Sequence, residues 1–341
     1  MNLAQRWLEA AYQGSAWLAP LRPLGALYGR LMNRRNNAYR TGQRAVWKAP
    51  VIVIVVGNIT LGGTGKSPIV AWLVRWLAAQ GYTPGIVTRG YGGNAAHYPL
   101  TVTPDTNVAE SGDEPLMLAQ QTGVPVVADP QRARGARALI EAGCNVIVSD
   151  DGLQHLALGR DIELAVVDGT RGLGNGRCLP AGPLREPAAR LTQVDAVLVN
   201  GDSRQTLPGY MTPMRLVPKQ WRQLASGEQY SLAPLPFTLP VDAVAGIGRP
   251  ERFFDTLKTL GVTGSWHSFA DHYQYDASAL QFAQTDTPRP LLMTAKDAVK
   301  CRDIAPPDSW VLDVEAELPP EFEQWLADRL AMLSARRSTD G

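Results

Sequence analysis

The stretch Val51–Pro68, VIVIVVGNITLGGTGKSP, decides the fold. Six aliphatic residues, Val51 to Val56, run without a polar break into a glycine-rich turn ending Gly65-Lys66-Ser67. An apolar run of strand length reads as a strand buried on both faces of a parallel sheet. The turn reads as a phosphate-cradling loop, and the residues after it as a helix through Ala71-Trp72-Leu73-Val74. Bare backbone N–H groups and the positive end of a helix dipole favour bound phosphate. The candidate nucleotide site is therefore Thr60, Leu61, Gly62, Gly63, Thr64, Gly65, Lys66 and Ser67. Lys66 would reach the terminal phosphates of ATP, and the Ser67 hydroxyl would sit on Mg2+. Thr60 stands where the usual pattern has glycine; Gly62 and Gly63 supply the flexibility instead.

The chain has 341 residues, 45% hydrophobic and 19% charged, ordinary for a folded protein and long enough for two domains. A net charge of +1 gives no global attraction to nucleic acid. The charge is unevenly placed, since residues 1–48 hold eight basic residues against one acid, Glu9. Cys144, Cys178 and Cys301 are far apart, which excludes a disulfide framework or a C-x-x-C zinc site and fits a reducing cytosol.

In residues 1–30, Leu3, Trp7, Leu8, Ala11 and Tyr12 follow helical spacing. The longest charge-free stretch, Ala10–Leu21, has 12 residues, short of the roughly 20 needed to span a bilayer. Glu9 and Pro20 spoil a signal peptide. Tryptophan, tyrosine and arginine beside an apolar face suit a helix lying in a membrane interface, or one packed on its own domain.

Further along, short aliphatic runs at Gly85–Thr88, Val124–Val127, Asn145–Ser149, Glu163–Val167 and Ala196–Val199 alternate with helical patterns. That is an α/β domain with a mainly parallel sheet, whose ligands bind beyond the carboxyl ends of the strands. From Leu207 prolines punctuate the chain, and Met214–Val217 with Glu228–Leu232 read as a short β-hairpin connector. A second α/β pattern follows, with strands at Ala243–Ala245, Leu291–Thr294 and Val311–Val314, helices at Glu251–Leu260 and Pro320–Ser334, and a frayed tail from Arg336. The expected organisation is a membrane-interface segment over 1–40, a P-loop kinase domain over 41–206, a linker over 207–240 and a smaller α/β domain over 241–335.

Four clusters could carry chemistry. Asp150 and Asp151 end a hydrophobic strand and would hold Mg2+, because adjacent carboxylates repel unless a cation sits nearby; the alternative is a turn with capping aspartates. Asp113 and Glu114 precede a helix, either favouring its N-terminus or supplying a general base for an attacking hydroxyl. His272, in Asp271-His272-Tyr273, is structural unless a cleft brings it beside Asp113. Arg185 and Glu186 lie in a proline-braced loop, as a surface ion pair or as a phosphate contact and a metal ligand. Arg89 and Tyr91, in a glycine-rich basic turn, join Arg185 as candidate substrate contacts.

Together GNITLGGTGKSP (57–68), TRGYGG (88–93), SGDEP (111–115), SDDGLQH (149–155), GNGRCLPAGPLRE (174–186), GIGRPERFF (246–254), FADHYQY (269–275) and TAKDAVK (294–300) resemble the tetraacyldisaccharide 4′-kinase family, in order across most of the chain. Ser67 replaces a common threonine and keeps the hydroxyl. The resemblance implies transfer of the ATP γ-phosphate to the 4′-hydroxyl of a tetraacylated glucosamine disaccharide 1-phosphate, giving lipid IVA in lipid A biosynthesis. It implies a two-domain α/β enzyme, peripheral on the cytoplasmic face of the inner membrane. Asp113 resembles its catalytic aspartate, His272 the partner of that aspartate, and Asp150 and Asp151 its Walker-B-like acids. The lipid disaccharide and the membrane surface are then the expected partners, with no nucleic acid and no obligate protein partner. Two rivals are a membrane-associated P-loop ATPase switch, which carries a lysine where this chain has Leu61, and a kinase of a small soluble metabolite, which leaves the N-terminal segment unexplained.

Overall fold

A computed structural model describes residues 3–203, 205–282 and 288–339. Helices α1 (Leu3–Gln13) and α2 (Arg22–Arg40), joined by a 3₁₀ turn, precede the sheet. The first lobe runs β1 (Ile52–Gly57), α3 (Lys66–Ala79), β2 (Pro84–Thr88), β3 (Leu100–Val102), α4 (Val108–Ser111), α5 (Asp113–Thr122), β4 (Val126–Ala128), α6 (Arg132–Glu141), β5 (Val146–Asp150), β6 (Ile162–Asp168) and β7 (Ala196–Asn200). A long strand, β8 (Met211–Gln223), and its short partner β9 (Gln229–Tyr230) lead into the second lobe. That lobe holds β10 (Val241–Ala245), α7 (Pro250–Thr259), β11 (Gly264–Ser268), β12 (Leu291–Thr294), α8 (Ala295–Cys301), β13 (Ser309–Glu317) and α9 (Pro320–Thr339).

β1 is central, parallel to β5 on one side and β6 on the other. All six of its residues are buried, so both faces of the sheet are covered. Alternation sends Ile52, Ile54 and Val56 to the face packed by α3 and α5, and Val53 and Val55 to the face packed by α6 and the loop around Leu184. Because β1 lies between strands that follow it in sequence, the chain after β1 and after β5 opens onto one crevice at the carboxyl ends.

The expected hairpin differs from what forms. Trp221 and Arg222 of β8 pair with β9, not Met214–Val217. Met211–Met214 lie parallel to β7, and Arg215–Gln223 lie antiparallel to β13, so one strand joins both lobes into a continuous sheet. Proline conceals this in sequence, since it ordinarily ends a strand. Pro218 is accommodated where the pairing register shifts at Asp313/Val314.

The C-terminal helix also departs from expectation. It is unbroken through Thr339, which leaves only residues 340–341 of the expected tail outside the described residues. Phe322, Leu326 and Leu330, one helical turn apart, pack into the core beneath β1 and α3 rather than with β10–β12. Arg329 with Asp195 and Arg337 with Asp161 fasten α9 to the first lobe.

At the other end, Gly25 and Gly29 let α2 approach the loop at 178–187 closely; a Cβ on Gly25 would lie 2.7 Å from the Cys178 carbonyl oxygen. The outer side leaves Trp17, Leu24, Leu27 and Leu31 more than half exposed. Among the described residues no helix is long and apolar enough to cross a membrane.

Candidate active site

The loop after β1 folds as read. Gly62 (φ 97°) and Gly65 (φ 95°) take left-handed conformations that L side chains rarely adopt, and Gly65 starts α3. The N–H groups of Gly63, Thr64 and Gly65 donate to no protein acceptor among the described residues, which leaves them for a phosphate. Props fix the loop from behind. Leu61 N donates to the Pro183 carbonyl at 2.9 Å, Tyr12 Oη donates to the Leu61 carbonyl at 2.6 Å, and Asn200 Nδ2 donates to the Thr64 carbonyl at 3.0 Å. Thr60 is buried and bridges to Leu184, so it is a structural member of the loop.

The paired acids after β5 have different surroundings. Asp151 (φ 47°) turns back toward the loop, where Arg185 grips it with two bonds of 2.9 and 3.0 Å and Lys66 Nζ lies 3.6 Å away. Burial would raise its pKa, but Lys66 and Arg185 outweigh this and hold it well below the usual carboxylate range. Asp150 is 1% exposed, and neither carboxylate oxygen has a hydrogen-bond partner among the described residues. Burial, then the charge of Glu114, pushes its pKa up to about 7. A buried carboxylate without donors is costly, and a cation would relieve it. Asp150, with Ser67 in the lining of the same cleft, therefore suits a divalent ion, whereas Asp151 is already paired.

Glu186 is not placed as a metal ligand. Its side chain is fully buried away from the cleft; Gln154 Nε2 and Asn36 Nδ2 each donate to it at 2.6 Å, and Arg190 lies 3.5 Å off. It ties α2 to the turn that follows Asp151. The sequence pattern cannot separate the two roles, because an arginine–glutamate pair in a rigid loop suits either.

Asp113 and His272, 159 residues apart, meet across the lobes. His272 Nδ1 lies 2.9 Å and 3.1 Å from the two Asp113 carboxylate oxygens, one of which also accepts from Glu114 N. Burial opposes ionisation of Asp113, but the His272 hydrogen bond, Lys296 and Lys300 together lower its pKa. The Asp113 contact raises that of His272 against burial and Lys296. His272 has φ 59°; it and Asp151 are the non-glycine residues with positive φ among those described, and both face this site.

One cleft of about 1060 Å³ takes in the phosphate loop, Asp150, Asp151, Arg185, Arg89, Tyr91 and His272. The Tyr91 ring meets His272 edge-on, with centroids 5.1 Å apart. Arg132 and His155 also line it, and burial lowers their pKa to about 10 and about 4. Arg132 and Arg89 make this wall cationic, which suits an anionic acceptor, while His155 stays neutral near pH 7.

Several functional neighbours were not read from sequence. Lys296 sits against the dyad and Asn200 braces the loop. Arg249 and Arg252 of the second lobe pair with buried Asp168 at the end of β6. Beside them Gly248 approaches Gly63 so closely that a Cβ would lie 2.7 Å from its nitrogen. Arginine after a glycine turn carries no sequence signal for such a clasp.

The tetraacyldisaccharide-1-P 4′-kinase family profile matches residues 17–331. A tetraacyldisaccharide 4′-kinase from Ectopseudomonas mendocina is 50% identical over 334 residues, 98% of this chain and 99% of the relative. Its counterpart in Pseudomonas paraeruginosa is 48% identical over 337 residues, 98% and 100% of the two chains. The crystal structure of an "apo" form of LpxK from Aquifex aeolicus in complex with ATP matches with a TM-score of 0.77 and 27% identity, over 92% of this chain and 99% of that one. On the span of these matches and the site they enclose, the chain belongs to the tetraacyldisaccharide 4′-kinase family.

Proposed function

We propose that the protein transfers the γ-phosphate of ATP to the 4′-hydroxyl of a tetraacyldisaccharide 1-phosphate, giving lipid IVA in lipid A biosynthesis. The observation that carries this reading is the Asp113–His272 pair, whose His272 lines one cleft with the phosphate loop. Phosphoryl transfer needs positioning and charge neutralisation more than covalent chemistry. Free N–H groups of the loop and Lys66 hold the terminal phosphates of ATP. Asp113 accepts the proton of the attacking hydroxyl, while His272 orients the carboxylate. Arg89, Tyr91 and Arg185 lie where they can hold acceptor and phosphate. Ser67 and Asp150 would hold Mg2+, which supplies charge neutralisation between the phosphates.

We also place the enzyme on the cytoplasmic face of the inner membrane as a peripheral protein. Exposed Trp17, Leu24, Leu27 and Leu31, with Arg30 and Arg34 on the same helix pair, suit an anionic bilayer surface. The acceptor's acyl chains then stay in lipid while its sugar reaches the cleft. The test is a labelled-phosphate assay with ATP and the disaccharide monophosphate in micelles. Asp113→Ala should abolish transfer and keep nucleotide affinity; turnover at the wild-type rate would remove Asp113 from the chemistry.

A further inference from the structure

Lys296 lies in the first turn of α8, yet its ammonium reaches the dyad. It lies 3.2 Å from Glu114 Oε1, 3.1 Å from Asp271 Oδ1 and 3.2 Å from His272 Nε2. An ammonium has three donors and no lone pair, so three acceptors satisfy it. Toward Lys296, His272 Nε2 must therefore present its lone pair. Toward the Asp113 carboxylate, which only accepts, Nδ1 must carry the proton. The two contacts select one neutral tautomer of the ring.

We propose that Lys296 is a positioning residue for phosphoryl transfer: it fixes His272 as the Nδ1–H tautomer and so keeps Asp113 ionised and aimed as the base. This rests on the reading of Asp113 as base. An imidazolium at position 272 would set an Nε2–H against the ammonium, so Lys296 opposes that form. The groups facing His272 are Asp113 from α5, Lys296 from α8, Asp271 beside it, and the Tyr91 ring edge. Glu114 acts through Lys296, and Lys300 lies 3.9 Å behind Asp113. Lys296 is largely buried, and Glu114, Asp271 and Asp113 overcome that burial to raise its pKa, so it stays charged through neutral pH. Its charge lowers the proton affinity of both dyad members.

The experiment is the pH dependence of kcat and kcat/KM for the wild type, Lys296→Met and Lys296→Arg, with 15N-histidine NMR of each. Lys296→Met should lower kcat at least about tenfold at neutral pH, with KM for ATP changed less. Its acid limb should move up by roughly one pH unit, because removing a nearby cation lets the dyad hold a proton at higher pH. The wild-type spectrum should show a pyridine-type Nε2 on His272, lost or titrating higher in Lys296→Met. Lys296→Arg should return the limb toward its original place. Circular dichroism and nucleotide affinity establish folding, and Lys296→Gln, which keeps a donor without the charge, replaces the methionine variant if that fails to fold. Lys296→Gln should keep the tautomer and still shift the limb. An unchanged limb and tautomer in the folded variants would overturn the role of Lys296. An active Asp113→Ala would instead overturn the base reading beneath it.

Discussion

Asp150→Asn is expected to make the nucleotide-free protein more stable while abolishing its kinase activity. Asp150 ends β5 wholly buried, and Arg132 donates to its main-chain oxygen rather than to its carboxylate. Burial raises the pKa from 3.8 to about 7, so the folded state binds the proton more tightly than the unfolded chain does. Stability therefore falls as pH rises between those two values and is flat above the higher one. A shift of about three units corresponds to roughly 4 kcal/mol at pH 8. Asparagine removes the charge but leaves a buried amide, costing roughly 1–2 kcal/mol, so the net gain is about 2–3 kcal/mol. For a chain of this size that raises Tm by about 3 °C. The assay is thermal or urea unfolding at pH 8 and at pH 5, in EDTA and again with Mg2+ and ATP. The variant should lead in EDTA at pH 8, its lead should shrink toward pH 5, and the order should reverse with Mg2+ and ATP. An equal or lower stability in EDTA at pH 8, or a lead independent of pH, would mean that the buried Asp150 charge costs the fold nothing.

Three further outcomes follow from the same geometry. His272→Ala should lower turnover by about 10²-fold or more, as measured by steady-state kinetics; a rate within about threefold of wild type would leave the histidine structural. Glu186→Ala should cost about 1–3 kcal/mol in unfolding measurements, because it leaves the Asn36 amide without its acceptor, Arg190 with Glu163 alone and Gln154 with the Asn58 carbonyl alone, while the Mg2+ concentration for half-activity stays unchanged. A tenfold rise in that concentration would return Glu186 to the metal. Replacing Leu24, Leu27 and Leu31 with serine should release the protein from anionic vesicles at unchanged micellar turnover. These substitutions are cleaner than deleting residues 1–30, which would also remove Gly25 and Gly29 from their packing on the loop at 178–187.

What could be read from sequence follows the range of each interaction. The phosphate loop is local, since strand, turn and helix start lie within eighteen residues, and it was legible. The acids after β5 were legible as a pair, but their difference depends on Arg185 and Lys66, which fold in from elsewhere. Glu186 shows the converse, a chemically apt residue whose partners on α2 and in the turn at Gln154 commit it to structure. The meeting of Asp113 and His272 depends on how two lobes dock; only the resemblance paired them in sequence. Lys296 lies in TAKDAVK, a segment of the resemblance, but nothing there assigned it a role, because a lysine in the first turn of a helix reads as solvated. β8 was cut short by its prolines, which one strand serving two partners can accommodate at a register shift.

In the proposed reaction the cleft passes a phosphate from ATP to a lipid hydroxyl with Asp113 as base. The direct measurement is transfer of labelled γ-phosphate to tetraacyldisaccharide 1-phosphate in micelles, comparing wild type with Asp113→Ala at matched nucleotide affinity. Wild type should place label at the 4′ position, and the variant none above background. ATP hydrolysis without acceptor labelling, or equal labelling by both proteins, would contradict the proposed reaction.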